Sequence, residues 1–340
     1  MNPIDRPSCA TRPLPRRAAV LLVATAALAA VAAPLSASAQ AAYPSRPITL
    51  VVPFPPGGSS DIITRLIGKR LSEKLGQAVV IDNRPGAGTV IGAAYVAKAA
   101  PDGYTLLVSS GSTFTVNPAI RANLPYDPVK SFDPIGIVGR IPLVLLANSQ
   151  VPVNNVKEFV AAAKATPDKL SYASFGAGTT SHFTAELVLQ SVGAKLLHVP
   201  YKGSAPAMTD LMGGQVPFSF DTVTAALPQL KSGKIKAIAV TTAKRSSQLP
   251  NVPTFAEAGY KDVDADTWIM LVGPKGLPPP VFGTLEKTLA AILAEPGTRK
   301  ALQEQAAEPA YADGAASLAQ IEHELPLMRA IARRANIQPD

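Results

Sequence analysis

Ile48-Thr49-Leu50-Val51-Val52-Pro53-Phe54-Pro55-Pro56-Gly57-Gly58-Ser59-Ser60-Asp61 decides the fold class of this 340-residue chain. Its first five residues, apolar or β-branched, read as a buried strand. The proline and glycine run breaks that strand, and Ser59, Ser60 or Asp61 is suited to cap a following helix. Ile63, Ile67, Leu71 and Leu75 then fall at helical spacing, with Gly76 as a natural stop. A strand, a glycine-rich turn and an amphipathic helix in that order form the repeating unit of a parallel α/β sheet.

Working outward, the unit recurs. Residues 78–81 and 104–108 read as strands around a helix at 90–98. A second series places strands at 143–146, 170–173, 196–199, 216–220 and 235–240, alternating with helices at 156–164, 180–191, 205–212 and 225–231. Such alternation implies parallel sheets covered by helices, in two units. The rhythm breaks near Leu249-Pro250-Asn251-Val252-Pro253, and after an apolar run at 268–272 helical segments dominate to the end. No solenoid-type repeat is visible.

The first residues have a different character. Arg12, Arg16 and Arg17 precede an alanine-rich apolar run, which ends at Pro34 and Ser36-Ala37-Ser38-Ala39-Gln40. This is the basic, apolar, small-residue order of an export signal, so residues 1–39 are expected to be removed. A membrane anchor wants about 20 apolar residues and no processing site. Cys9, the single cysteine, lies in that segment, and the mature chain is expected to have neither a disulfide nor a thiolate metal site. No cysteine stands at the cleavage point to carry a lipid. The segment holds four arginines and one aspartate, so the net charge falls from +8 to +5 on its removal. The remaining basic residues are spread without the stripe that a nucleic-acid footprint needs. Some 300 residues suffice for two lobes.

In open parallel sheets, ligands sit at the carboxyl ends of strands, where loops and helix starts converge. Three segments occupy such places. Around Phe54, Pro55, Gly57 and Gly58, glycine permits close backbone approach and the next helix start attracts an anion, although an ordinary turn with Asp61 as cap explains the same residues. Ser109-Ser110-Gly111-Ser112-Thr113 offers small hydroxyls, with Ser109, Ser112 and Thr113 as candidates, and a solvated loop is the plain alternative. Ser174-Phe175-Gly176-Ala177-Gly178-Thr179-Thr180-Ser181-His182 is the best anion cradle. Ser174, Gly178, Thr179, Thr180 and His182 bring glycine, hydroxyls and a helix start together. His182 and Glu186 have the spacing of metal ligands, but no third ligand is evident, and a metal site needs three or four.

Enzyme chemistry finds no support. There is no cysteine nucleophile, no G-x-S-x-G elbow and no phosphate loop of the G-x-x-x-x-G-K type. Gly86-Ala87-Gly88 and Gly92 depart from dinucleotide spacing, and no acidic residue ends the next strand. A hydrolase built on Ser174, His182 and Asp221 lacks a nucleophile motif.

Several motifs, taken together, are more specific than any turn. Pro53 to Asp61, Asn83-Arg84-Pro85-Gly86-Ala87-Gly88, Pro101-Asp102-Gly103-Tyr104-Thr105-Leu106 and Val199-Pro200-Tyr201-Lys202-Gly203 occur in order. Gly213-Gly214-Gln215-Val216 and Leu249 to Gly259 follow them. The chain resembles the tripartite tricarboxylate transporter receptors, also called the Bordetella uptake family, over nearly all of its mature length. The resemblance implies a two-lobed α/β periplasmic-binding-protein fold of type II, each lobe a mainly parallel sheet flanked by helices, with two crossovers. Mapped here, residues 43–140 and 252–340 form lobe one, and 141–251 lobe two. It further implies a carboxylate held by main-chain groups, hydroxyls and waters in the three segments above, with Tyr201 and Asp221 as further cleft candidates. Pro217 departs from the pattern, where an acidic residue is expected. Arg84 and Asp102 are expected to be structural, with Arg84 pairing across the Asp102-Gly103 turn. A monomer, a small organic acid and the membrane components of a transporter are the implied state and partners; no cofactor is implied. A receptor that signals to a sensor protein is not distinguished from one that serves transport.

Overall fold

The first strand, β1 (Ile48–Val52), is apolar throughout because both of its faces are covered. Ile48 and Leu50 pack toward one layer of helices and Val51 toward the other. The computed structural model describes residues 43–166, 169–334 and 337, so the expected leader and Cys9 lie outside the described residues.

After β1 come α1 (Ser59–Leu75), β2 (Val79–Asn83), α2 (Val90–Ala97) and β3 (Thr105–Ser110). A π-helical turn at Ser112–Val116 leads into the short α3 (Asn117–Ile120). The long β4 (Phe132–Asn148) follows, then α4 (Val156–Ala165), β5 (Ser171–Ser174), α5 (Thr180–Val192) and β6 (Leu197–Pro200). Next are α6 (Ser204–Met212), β7 (Phe218–Thr222), α7 (Val223–Leu230) and β8 (Ile235–Val240). The chain ends with β9 (Asp266–Pro274), α8 (Pro279–Ala294), α9 (Pro296–Glu304), β10 (Glu308–Asp313) and α10 (Gly314–Arg334).

The strand order β2-β1-β3-β9-β4-β7-β5-β6 runs through both lobes, with β8 and β10 also pairing to β4. The β1–β2, β1–β3, β5–β6 and β5–β7 pairs are parallel. Every pair made by β4 or β9 is antiparallel, which alternation alone does not reveal. The first part of β4 pairs with β9 and β10; from Leu143 onward it pairs with β7 and β8. One strand therefore carries the chain from the first lobe into the second.

Each sheet is sandwiched. In the first lobe, Ile63, Ile67 and Leu71 of α1 and Leu285 and Leu289 of α8 cover one face. Trp268, Met270, Phe114, Val96 and Ile321 fill the other. In the second, Phe159, Val188, Tyr172 and Phe220 form one layer and Met208, Leu211, Val144 and Val223 the other. Gly76 takes the left-handed conformation (φ 65°) that ends α1, as the sequence predicts. After β8, Phe255 and Val263 still pack in the second lobe, and the chain rejoins the first sheet at Asp266. There Arg140 of β4 makes a two-pronged ion pair with Asp266 of β9, at 2.6 and 2.8 Å.

Two sequence expectations are revised. Arg84 does not pair across the Asp102 turn: it pairs with Asp82 and lies over the Tyr95 ring, whereas Asp102 pairs with Arg46. The C-terminal part is not helical alone. β10 lies along β4 where Gly136 and Gly139 stand, and a Cβ at either would meet a β10 carbonyl oxygen at 2.9 or 2.8 Å. Glycine is what lets that strand approach.

Candidate functional site

Three helix starts converge where the lobes meet. Gly58, Ser59 and Ser60 open α1 from the first lobe; Thr180 opens α5 and Ser204 opens α6 from the second. With Ser110 at the end of β3, Thr267 on β9, Phe54, Pro55 and Phe175, they line a small inner pocket. Its cavity, about 10 Å³, has room for roughly one water molecule. The first N–H groups of a helix have no partner within it, and the aligned peptide dipoles place partial positive charge there. Six hydroxyl side chains line the same space and no charged side chain does. Such a pocket can receive one oxygen of an anion by hydrogen bonds and dipoles, without a paired cation.

The lobes touch across this pocket. The Thr180 N–H donates to Ser112 Oγ at 3.0 Å, and the Phe54 and Phe175 rings meet edge to face with centroids 6.0 Å apart. A Cβ added at Gly58 would sit 3.6 Å from Ser204 Oγ, and one at Gly203 2.8 Å from the Pro55 ring.

Each turn is fastened from behind. In the first, the Gly57 N–H donates to the Asp61 carboxylate, which also receives Arg65 and Asn83. Asn83 donates as well to the Phe54 carbonyl. Burial raises the Asp61 pKa, but those hydrogen bonds outweigh it and hold the carboxyl below its ordinary value. Asp61 thus shapes the turn from the first turn of the helix, with its side chain occupied by Gly57, Arg65 and Asn83. Gly57 (φ 89°) supplies the left-handed bend.

The second turn folds inward. Ser109 and Thr113 hydroxyls bond to each other at 2.6 Å, and Thr113 donates to Thr89 at 2.7 Å. Both are fully buried and brace the loop, so Ser110 is the hydroxyl of this segment that lines the inner pocket. Ser112 faces the other lobe through Thr180.

The third turn rests on two histidines. Ser174 Oγ bonds to His198 Nε2 at 2.7 Å and accepts the Gly176 N–H, and the Gly178 N–H donates to His182 Nδ1. Thr179 ties back to the Gly176 carbonyl. The His182 and His198 rings stack at 4.0 Å, with Tyr172 on the far side of His198. Burial, and then neighbouring His182, push His198 down to about 3. Glu186, which shares the face of His182, is bound by the Tyr172 hydroxyl. Among the described residues no group of three His, Cys, Asp or Glu side chains is placed to hold a metal ion.

Of the expected residues, Phe54, Pro55, Gly58 and Thr180 line the inner pocket. Asp221 lies one layer beneath it. Its Oδ1 accepts from Ser204, from the Thr222 N–H and from the Thr222 hydroxyl, and its Oδ2 has no protein partner. Burial pushes its carboxyl up to about 7, against those hydrogen bonds. Thr267 Oγ1, on the pocket wall, is also buried without a partner. Tyr201 donates to Asp210 and lines a separate, outer cavity with Phe54, Pro55 and Phe175. Ser204 and Thr267 were not anticipated. Ser204 directly follows the Tyr201-Lys202-Gly203 motif, a usable signal; Thr267 sits inside an apolar strand and gives none.

No helix of the described residues is long and apolar enough to cross a membrane. Comparison with known proteins supplies the family context. A model of the tripartite tricarboxylate transporter family receptor matches residues 63–337. Protein BugT of Bordetella pertussis is 39% identical over 287 residues, 84% of this chain and 87% of that protein. The R. palustris protein Rpa4515, solved with adipate, superposes with a TM-score of 0.85 at 37% identity, over 88% of this chain and 100% of that one. The periplasmic binding protein BugD superposes with a TM-score of 0.83 at 38% identity, over 87% and 99%.

Proposed function

The chain belongs to the tripartite tricarboxylate transporter receptor family and is a solute-binding receptor, not an enzyme; we propose that its solute is a small organic acid, held by a carboxylate in the inner pocket. The convergence of three helix starts and six hydroxyls, with no charged side chain on the wall, carries this reading. Charge-assisted hydrogen bonds from N–H and O–H groups to a carboxylate are roughly twice as strong as neutral ones. Because donors come from both lobes, a carboxylate is satisfied only when the lobes are together, so binding favours closure. The binding of adipate by Rpa4515 supports the same ligand class.

The first lobe is taken as β1–β3, β9, β10 and their helices and the second as 141–265, in place of the expected boundary at 251, because Phe255 and Val263 pack in the second lobe. The expected leader directs the chain to the periplasm, where the closed monomer meets the membrane components of a transporter. Thermal denaturation of the mature protein, refolded free of carried-over ligand, tests the ligand class against a panel of organic acids and neutral analogues. An acid at about 100 times its dissociation constant adds roughly 2.7 kcal/mol, a few degrees in melting temperature. Silence from every acid, with a shift from a neutral compound, would overturn the reading.

A further inference from the structure

Asp221, near the end of β7, lies behind the inner pocket, and Ser204 stands between them. Ser204 lines the pocket and its Oγ faces Gly58 of the other lobe, where an added Cβ would stand 3.6 Å away. Its one hydrogen goes the other way, to Asp221 Oδ1 at 2.9 Å. The Thr222 N–H and hydroxyl donate to the same oxygen. Oδ2 is buried without a protein partner, and among the described residues no cation pairs with Asp221. The elements packed against β7 bring few other titratable groups, and each is engaged elsewhere. β4 has none from Leu143 onward, where it pairs with β7, and α7 has none. Tyr172 of β5 is bound to Glu186 of α5, His182 of α5 accepts the Gly178 N–H, and Asp210 of α6 accepts from Tyr201. Across the pocket, Asp61 of α1 is held by Arg65, and Lys202 lines the outer cavity.

An ionised Asp221 opposes an anion twice. An ionised carboxylate only accepts, so it claims the Ser204 hydrogen and leaves that hydroxyl only lone pairs to show the pocket. It also sets a negative charge behind the wall. An anion oxygen bonded to Ser204 stands at most about 6 Å from Oδ1, two hydrogen bonds away. Between unit charges at that range, repulsion is worth on the order of a hundredfold in affinity. A single proton on the carboxyl removes both effects: Oδ1 loses its charge, and the Ser204 hydrogen is free to turn to the ligand. We propose that Asp221 is a positioning residue that takes up one proton from solvent as the anion enters, so that the receptor captures acid and proton together. This deepens the reading of the inner pocket as a carboxylate site and rests on it. Burial raises the Asp221 carboxyl to about 7 before any ligand arrives, and the anion raises it further. The bound form therefore holds the proton more tightly than the free form, and affinity falls as pH rises past about 7.

Calorimetric titration of the refolded protein with adipate, malate, benzoate and nicotinate, in pairs of buffers that differ in ionisation enthalpy, counts the protons exchanged. At about pH 8 these acids are already ionised, so a proton taken up there belongs to the protein. Binding is expected to take up close to one proton at about pH 8 and almost none at about pH 6, with affinity about tenfold higher at the lower pH. Asp221→Asn keeps an acceptor oxygen for Ser204 and Thr222 but carries no charge. It is expected to bind with the same affinity at both pH values and without proton uptake, whereas loss of a merely structural contact would weaken binding equally at both. Binding by the parent with no proton uptake at about pH 8 would overturn the proposal and leave the inner pocket standing, whether or not the variant folds. Uptake that persists in the folded variant would overturn it too, by assigning the proton to another group. Failure of all four acids to bind the folded parent would remove the pocket reading as well.

Discussion

Asp221 carries one satisfied oxygen and one without a protein partner, in full burial. Burial raises its folded carboxyl to about 7, above the ordinary 3.8. Between those values the folded chain keeps a proton that the unfolded chain has lost, so stability falls as pH rises through that window. Asp221→Asn is expected to remove this loss. Urea unfolding at about pH 5 and about pH 8 should show the variant gaining on the parent at the higher pH by on the order of 2–4 kcal/mol. Parallel behaviour of the two proteins would contradict it. His198 acts with the opposite sign. Its folded pKa, about 3, lies below the ordinary 6.5, so its contribution is whole above 6.5 and drains away as pH falls toward 3. His198→Gln is expected to flatten the acid limb of the stability curve by up to about 1.4 kcal/mol per pH unit, read from the same unfolding series. An unchanged limb would show that the imidazole is protonated in the fold. At this scale composition marks loops rich in hydroxyls but not where each hydroxyl points. Ser109, Thr113 and Ser174 have the composition of ligand hydroxyls, yet they serve to bind one another and His198. A hydroxyl's direction depends on the loop's coiling, and the π-helical turn at Ser112–Val116 leaves no trace in composition.

Among the elements, the strand-turn-helix units position the site, and the turns must leave space for the opposite lobe. Gly88, in the turn before α2, has φ 61°, and a Cβ there would stand 2.6 Å from the Ala177 carbonyl oxygen on the other lobe. Gly88→Ala therefore adds about 1 kcal/mol of backbone strain and, more seriously, props the cleft open. Calorimetry with the best acid from the panel is expected to show an affinity loss of about tenfold or more, against only a modest fall in apo melting temperature. Affinity equal to the parent's would mean that the two turns do not approach during binding. The β1 turn, the end of α1 at Gly76 and most helices were legible, because periodicity and glycine report local geometry directly. The true length of β4 was not, since Pro134, Gly136, Gly139 and Pro142 read as breakers while register shifts absorb them. β10 was hidden for a related reason: Glu308–Asp313 is half polar, and its place is granted by glycines on another strand.

For the whole molecule, the two sheets are joined by β4 and by the return of the chain at Asp266, with the Arg140–Asp266 pair between those strands. Two crossovers side by side make a hinge, and the lobes also meet through two small apolar clusters, Phe54 with Leu143 and Phe175, and Val116 and Ala332 with Phe183. A ligand in the cleft adds its polar contacts to these apolar ones. Helix starts and hydroxyls recognise charge as well as shape, so an acid and its amide, nearly equal in size, should be told apart. Calorimetric titration of the refolded protein with the best acid and with the corresponding amide tests this most directly. Carboxylate capture predicts that the acid binds and that the amide binds at least about a hundredfold more weakly, the cost of losing the charge-assisted bonds. Equal binding of the two, or binding of the amide alone, would contradict it.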